Sequence, residues 1–293
     1  MKFLIKIIIL ISSLSFADKL PNDVRWVRDS SEYIKICEST FSIAYKAIEK
    51  VCQDSFEIID YDTFLNSLKN DNNKNISDIV CSKTECRGKY SVEGSANFKV
   101  KIPPLSNYLI QQIKRNKIHY KFREDQKKKS DSENYAIIVD LDETILDNSQ
   151  YQVMLHNKKE TYNPSSWSEW VNEEEAKLVP GAKEFLDKVR DLGVRVIFIS
   201  NRMNENLNPT IKNLKNLKAF SKDDIFLLRL DKPDSKVVRR REVYSQTGRM
   251  QEHPSFTVIS YLGDAFGDFP KDSNECIWGQ NCHVFPNPMY GKW

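Results

Sequence analysis

The sequence predicts an α/β protein built on a Rossmann-like parallel sheet flanked by helices, and three observations carry that expectation. Apolar runs rich in β-branched residues, short enough to be buried strands, recur at 136–139, 194–199, 225–230 and 256–262. Helical patterns separate successive runs, as in parallel strands joined by crossover helices. Each run ends in polar or charged residues, and open α/β sheets bind ligands at the carboxyl ends of their strands.

At 293 residues the chain can bury one large domain, or a domain with an appendage. Lys and Arg nearly balance Asp and Glu, and the net charge of +3 gives no reason to expect a nucleic-acid polymer as partner. Residues 1–17 read as a signal peptide: Lys2, an apolar core over 3–14, then Ser15-Phe16-Ala17 as the cleavage site. Export to the periplasm or beyond the cell is expected, without a stable membrane anchor, because the core is too short to span a bilayer comfortably. Six cysteines in an exported chain permit disulfides. Cys276 and Cys282 bracket a small loop, whereas the connectivity of Cys37, Cys52, Cys81 and Cys86 stays open. Zinc is disfavoured there, since no histidine stands beside them at ligand spacing. Oligomeric state is not legible.

Residues 18–134 are expected to form an N-terminal helical or irregular region. Tyr33, Ile34, Cys37, Phe41, Ala44, Tyr45 and Ile48 share one face of a helix. The polar stretch 69–75 reads as a surface loop, and Asn75-Ile76-Ser77 fits a glycosylation acceptor. Pro103-Pro104 breaks the chain, a helical piece is expected over 106–117, and 127–132 reads as a charged connector. Cys81 and Arg87 have the C-x5-R spacing of cysteine-dependent phosphatases. Val80 precedes the cysteine, however, no glycine lies between them, and Cys86 invites oxidation, so a disulfide is the expected use.

Residues 135–293 are expected to be the catalytic domain. After its first strand come Asp140 and Asp142, one residue apart, like charges that need a cation or a shared proton between them. Pro180-Gly181 open a helix with Ala182, Phe185, Leu186, Val189 and Leu192 on one face and Gly193 as its stop. Ser200-Asn201-Arg202 follow the second strand, and Asn208-Pro209 open the next helix. Past the third strand stand Lys232 and Lys236. Ser235 is a good N-cap, which puts the Lys236 ammonium in a first helical turn, beside free amides that suit an anion. Asp264 and Asp268 follow the fourth strand and offer the hard oxygens that magnesium prefers.

The string D-L-D-E-T-I-L-D-N-S at 140–149, followed by Tyr151, resembles the first motif of the haloacid dehalogenase-like phosphatases, and specifically of the secreted class C (subfamily IIIB) acid phosphatases and 5'-nucleotidases. Ser200-Asn201-Arg202 resembles the second motif, and Lys236 with Arg239 the third, with Lys232 as the other lysine considered. Residues 263–269 are close to the fourth, G-D-N-x-x-D-F, except that Ala265 stands where Asn is usual; losing that side chain threatens metal or loop order. The C-terminal stretch 285–293 is similar to the family's P-N-P-M-Y-G-x-W. The resemblance spans 135–293 and, less closely, 26–50.

It implies a parallel sheet whose site is roofed by the N-terminal helical region, and Mg2+-dependent hydrolysis of small phosphomonoesters through an aspartyl-phosphate. Asp140 would be the nucleophile and Asp142 the acid/base, with Ser200 and Lys236 stabilising the transferring phosphoryl group and Asn201 helping to hold it. Mg2+ would be held by Asp140, the backbone carbonyl of Asp142, Asp264 and Asp268. Tyr290 would stack on the substrate's ring, which favours nucleoside 5'-monophosphates or aryl phosphates. Opposite protonation states at Asp140 and Asp142 imply an acidic pH optimum. The alternatives are a binding or storage protein of the same fold without turnover, and a phosphotransferase that uses the same intermediate.

Overall fold

The computed structural model describes residues 19–54, segments between 56 and 122, residues 134–271 and residues 275–291. The expectations for 1–17, 69–75, 106–117 and 127–132 lie outside the described residues. The first described elements are α1 (Asn22–Asp29) and α2 (Ser31–Asp54). Five strands follow: β1 (Phe56–Ile58), β2 (Ile76–Cys81), β3 (Glu85–Ser91), β4 (Ser95–Lys101) and β5 (Tyr120–Phe122). They form one mixed sheet in the order β1-β4-β3-β2-β5. This corrects the expectation of a mainly helical or irregular region before residue 134. The strands escaped notice because polar and charged residues fill them, as in Glu85-Cys86-Arg87-Gly88-Lys89, and leave no apolar run.

The second sheet positions the site. Its strands are β6 (Tyr135–Val139), β9 (Arg195–Met203), β10 (Ile225–Arg229), β11 (Thr257–Gly263) and β12 (Cys282–Val284); a small antiparallel pair, β7 (Leu146–Asp147) and β8 (Lys177–Leu178), lies between β6 and β9 in sequence. The order is β10-β9-β6-β11-β12, and every neighbouring pair is parallel. Tyr135, Ile137 and Val139 enter one core cluster and Ala136 and Ile138 the other, so β6 is buried on both faces. That explains a continuous apolar run in place of alternation. Strand β12, short and without a run of its own, was not foreseen.

The crossover helices are α3 (Ser149–Lys158), α4 (Pro164–Glu173), α5 (Ala182–Asp191), α6 (Leu207–Asn216) and α7 (Lys236–Ser245). Gly181 caps α5 at φ 89°, and a Cβ there would sit 3.2 Å from the Phe41 ring, so glycine serves both backbone and packing. On α2, Tyr33, Cys37, Phe41, Ala44 and Ile48 are buried as the spacing predicts, whereas Ile34 faces solvent. Phe41 lies 5.0 Å from Phe185 and 4.5 Å from Phe285. Helix α2 packs on α5, β11 and β12 as a flanking layer of the core. Arg28 of α1 donates to Gln150 Oε1 at 3.0 Å, tying the N-terminus to the helix that follows the first acidic stretch.

Candidate active site

Asp140 leaves β6 with its N–H donating to the Leu262 carbonyl at 2.9 Å. The chain then turns sharply. The Leu141 carbonyl accepts from the N–H groups of Ile145 and Leu146 at 2.9 and 2.8 Å, and Glu143 takes a left-handed conformation at φ 55°. That turn gives the two carboxylates separate partners. Asp140 Oδ1 lies 2.6 Å from Lys236 Nζ, and the same ammonium pairs with Asp268. Asp142 Oδ1 accepts from Arg202 Nε at 2.9 Å and from Asn148 Nδ2 at 3.0 Å, with Arg202 Nη2 at 2.8 Å; its Oδ2 accepts from Ser200 Oγ at 3.3 Å. The repulsion foreseen between the two is met by two cations, one for each.

Asp140, Asp264 and Asp268 converge, with one oxygen of each within 4.8 Å of the others. Burial pushes the Asp140 carboxyl well above the ordinary carboxylate range; Lys236 opposes this, and the charges of Asp268, Asp264 and Asp142 add to it. Burial and the charge of Asp268 raise Asp264 to about 6. Burial alone would lower the Lys236 ammonium, yet Asp140 and Asp268 hold it above the lysine range. Two buried carboxylates and a half-buried one against one ammonium leave excess negative charge on hard oxygen donors, and a divalent cation such as Mg2+ fits that need. The Asp142 side chain is not in this cluster.

The loop that carries Asp264 and Asp268 is held by backbone and by Asn287. The Ala265 N–H donates to Asp268 Oδ2 at 3.0 Å, and Asn287 Nδ2 donates to Asp264 Oδ2 at 2.7 Å. Ala265 itself is exposed. The concern that its missing amide disorders the loop is therefore not supported by the contacts. Gly263 is required, because a Cβ there would collide with the Asp268 carboxylate.

Ser235 caps α7, its Oγ accepting from the Val238 N–H at 3.3 Å, which sets Lys236 in the first turn. Lys232 is exposed and stands outside the acidic cluster. Ser200 Oγ accepts from the Arg202 N–H at 3.1 Å. Asn201 is exposed, with Oδ1 accepting from Arg239 Nη2 at 2.7 Å, which leaves its amide N–H groups for another acceptor. Tyr290 is half-buried; its N–H donates to Asn287 Oδ1 at 3.4 Å, and its hydroxyl is buried without a hydrogen-bond partner.

The model of the haloacid dehalogenase superfamily, subfamily IIIB (acid phosphatase), matches residues 71–293. The chain belongs to this family. A class C acid phosphatase from Bacillus anthracis is similar in fold, with a TM-score of 0.55 and 22% identity over 92% of this chain and 84% of that one; its tungstate-bound structure gives 0.56. Two plant proteins are similar in sequence. The stem 31 kDa glycoprotein of Glycine max is 25% identical over 161 residues, covering 54% of this chain and 59% of that protein. Vegetative storage protein 1 of Arabidopsis thaliana is 24% identical over 178 residues, covering 60% and 62%. The chain thus spans about three fifths of the length of these plant relatives.

Around this subfamily IIIB site stand residues to which sequence reasoning gave no role. Arg202, Asn148, Glu143, Arg239 and Asn287 all lay inside quoted motifs, but nothing local shows their partners. Buried Glu143 accepts from the Asn148 N–H at 2.8 Å and so braces the first turn. Arg239, fully buried, donates to the carbonyls of Ser200, Leu227, Asp234 and Ser235 and joins the ends of β9 and β10 to α7. Burial pushes its guanidinium down to about 10. Of the cysteines, Cys276 and Cys282 form a disulfide, as their spacing allows, and Cys37 is a buried free thiol. Cys86 is disulfide-bonded and stands opposite Cys81 in the β2–β3 register, in line with a disulfide as the use of that region.

Proposed function

We propose that this acid phosphatase family member is an exported, Mg2+-dependent phosphomonoesterase working at acid pH through an aspartyl-phosphate on Asp140. The observation that carries the reading is the division of the acidic pair: Asp140 sits with Lys236 among the acidic cluster, and Asp142 sits apart with Arg202 and Ser200. In the first step an Asp140 oxygen attacks phosphorus in line and the P–O ester bond breaks. Its electron pair goes to the leaving oxygen, which takes a proton from Asp142. In the second, water attacks the phosphoryl group and gives a proton back to Asp142; the P–O bond to Asp140 breaks, and phosphate leaves. When bound, Mg2+ supplies charge neutralisation and substrate orientation, held by Asp140, Asp264, Asp268 and the Asp142 carbonyl. Ser200, the free amide of Asn201 and Lys236 stabilise the charge on the transferring oxygens.

Tyr290 at the C-terminal segment supports aryl phosphates or nucleoside 5'-monophosphates as substrates. The likeness to a plant vegetative storage protein favours one other reading, a storage protein of this fold without turnover. A panel of nucleoside, aryl and alkyl monophosphates, assayed for phosphate release with Mg2+ and with a chelator, separates them. Release that peaks below neutral pH and stops on chelation is expected. Absence of turnover across the panel supports the storage reading, and release indifferent to chelation contradicts the metal assignment.

A further inference from the structure

We propose that Arg202 is a positioning residue for the acid/base step, fixing which oxygen of Asp142 handles the proton; the inference rests on the phosphatase reading above. Arg202 is only 1% exposed, so it does not meet the substrate. Nε donates to Asp142 Oδ1 at 2.9 Å and Asn148 Nδ2 to the same oxygen at 3.0 Å, while Nη2 lies 2.8 Å from it as an ion-pair contact. Two donors occupy both lone-pair directions of Oδ1, and the guanidinium charge beside it further disfavours a proton there. Among the described residues Oδ2 accepts only from the Ser200 hydroxyl, at 3.3 Å, and is therefore the oxygen that gives a proton to the leaving group and takes one from water.

The guanidinium is itself held rigidly. Nη1 donates to Thr210 Oγ1 at 3.1 Å, Nη2 to Asn148 Oδ1 at 3.3 Å, and the Trp167 ring lies 5.8 Å away. Trp170 Nε1 donates to the same Asn148 oxygen at 3.0 Å and locks that amide's orientation. Lysine cannot reproduce this clasp, because it presents one nitrogen where arginine presents a rigid fork.

Leaving-group dependence reads the proton donor directly. An alkoxide needs a proton to depart, whereas 2,4-dinitrophenolate does not, and kcat/KM reports only the steps through ester cleavage. In Arg202→Gln, kcat/KM for an alkyl phosphate is expected to fall by about 10²–10³-fold and that for 2,4-dinitrophenyl phosphate by less than about 10-fold. Arg202→Lys should fall between wild type and Arg202→Gln. Thr210→Val, which removes one restraint away from the reacting atoms, should shift the same ratio by a few-fold and keeps the test open if Arg202→Gln does not fold. Parallel losses on both esters, or an unchanged ratio in Arg202→Lys and Thr210→Val, would overturn the inference alone. A wild type that cleaves neither ester would overturn the phosphatase reading as well.

Discussion

Asp140 and Asp142 show how a single turn sorts two chemically identical groups. Glu143 at φ 55° and the turn closed on the Leu141 carbonyl send one carboxylate towards Lys236 and the other towards Arg202. The acidic positions were legible because each closes a strand, but Arg202 and Asp142 are 60 residues apart, and no local pattern reports that pairing. Ala265 poses a different question. Its departure from the family pattern looked costly, yet the loop closes through the backbone N–H at 265, and the side chain faces solvent. Ala265→Asn is therefore expected to change thermal stability by no more than about 0.5 kcal/mol and to leave the rate close to that of wild type. Calorimetry and initial rates check this; a large gain in activity would show that the missing amide matters.

At the level of elements, four of the five strands of the parallel sheet were readable because burial demands uninterrupted apolar runs, and β12 has none. The β1–β5 sheet was not, since its strands mix charged and apolar residues, and a helical reading of the flanking sequence filled the gap. Helix α7 was readable from Ser235 alone, because a hydroxyl at the N-cap satisfies an otherwise unpaired amide. Its second anchor, Arg239, stood in the motif with Lys236, but that it is a buried tie between strand ends is visible only in the structure. Ser235→Ala is expected to cost about 1 kcal/mol of stability and, by fraying the turn that carries Lys236, to lower the rate as well. Denaturant unfolding with parallel kinetics measures both; a stability loss without any rate loss would separate the cap from the site.

Across the whole molecule, the proposed operation at acid pH would set the fold against one of its own residues. His283 in β12 is buried, and burial lowers its pKa from 6.5 to about 4. Between those values the unfolded chain binds a proton that the folded chain refuses. Stability is therefore full above pH 6.5 and drains away as pH falls towards 4, by up to roughly 3 kcal/mol from this group. His283→Gln, which keeps an N–H for the Gln280 carbonyl, is expected to flatten the fall in Tm between pH 7 and 4 relative to wild type; an identical fall would assign the acid sensitivity elsewhere. The central claim, that phosphoryl transfer passes through Asp140, has a direct chemical readout. Enzyme mixed with substrate and Mg2+, quenched in acid and reduced with borohydride, should carry homoserine in place of aspartate at position 140, as reduction of an acyl phosphate requires, and Asp140→Asn should neither turn over nor label. Homoserine at another position, or phosphate release that survives in Asp140→Asn, would contradict it.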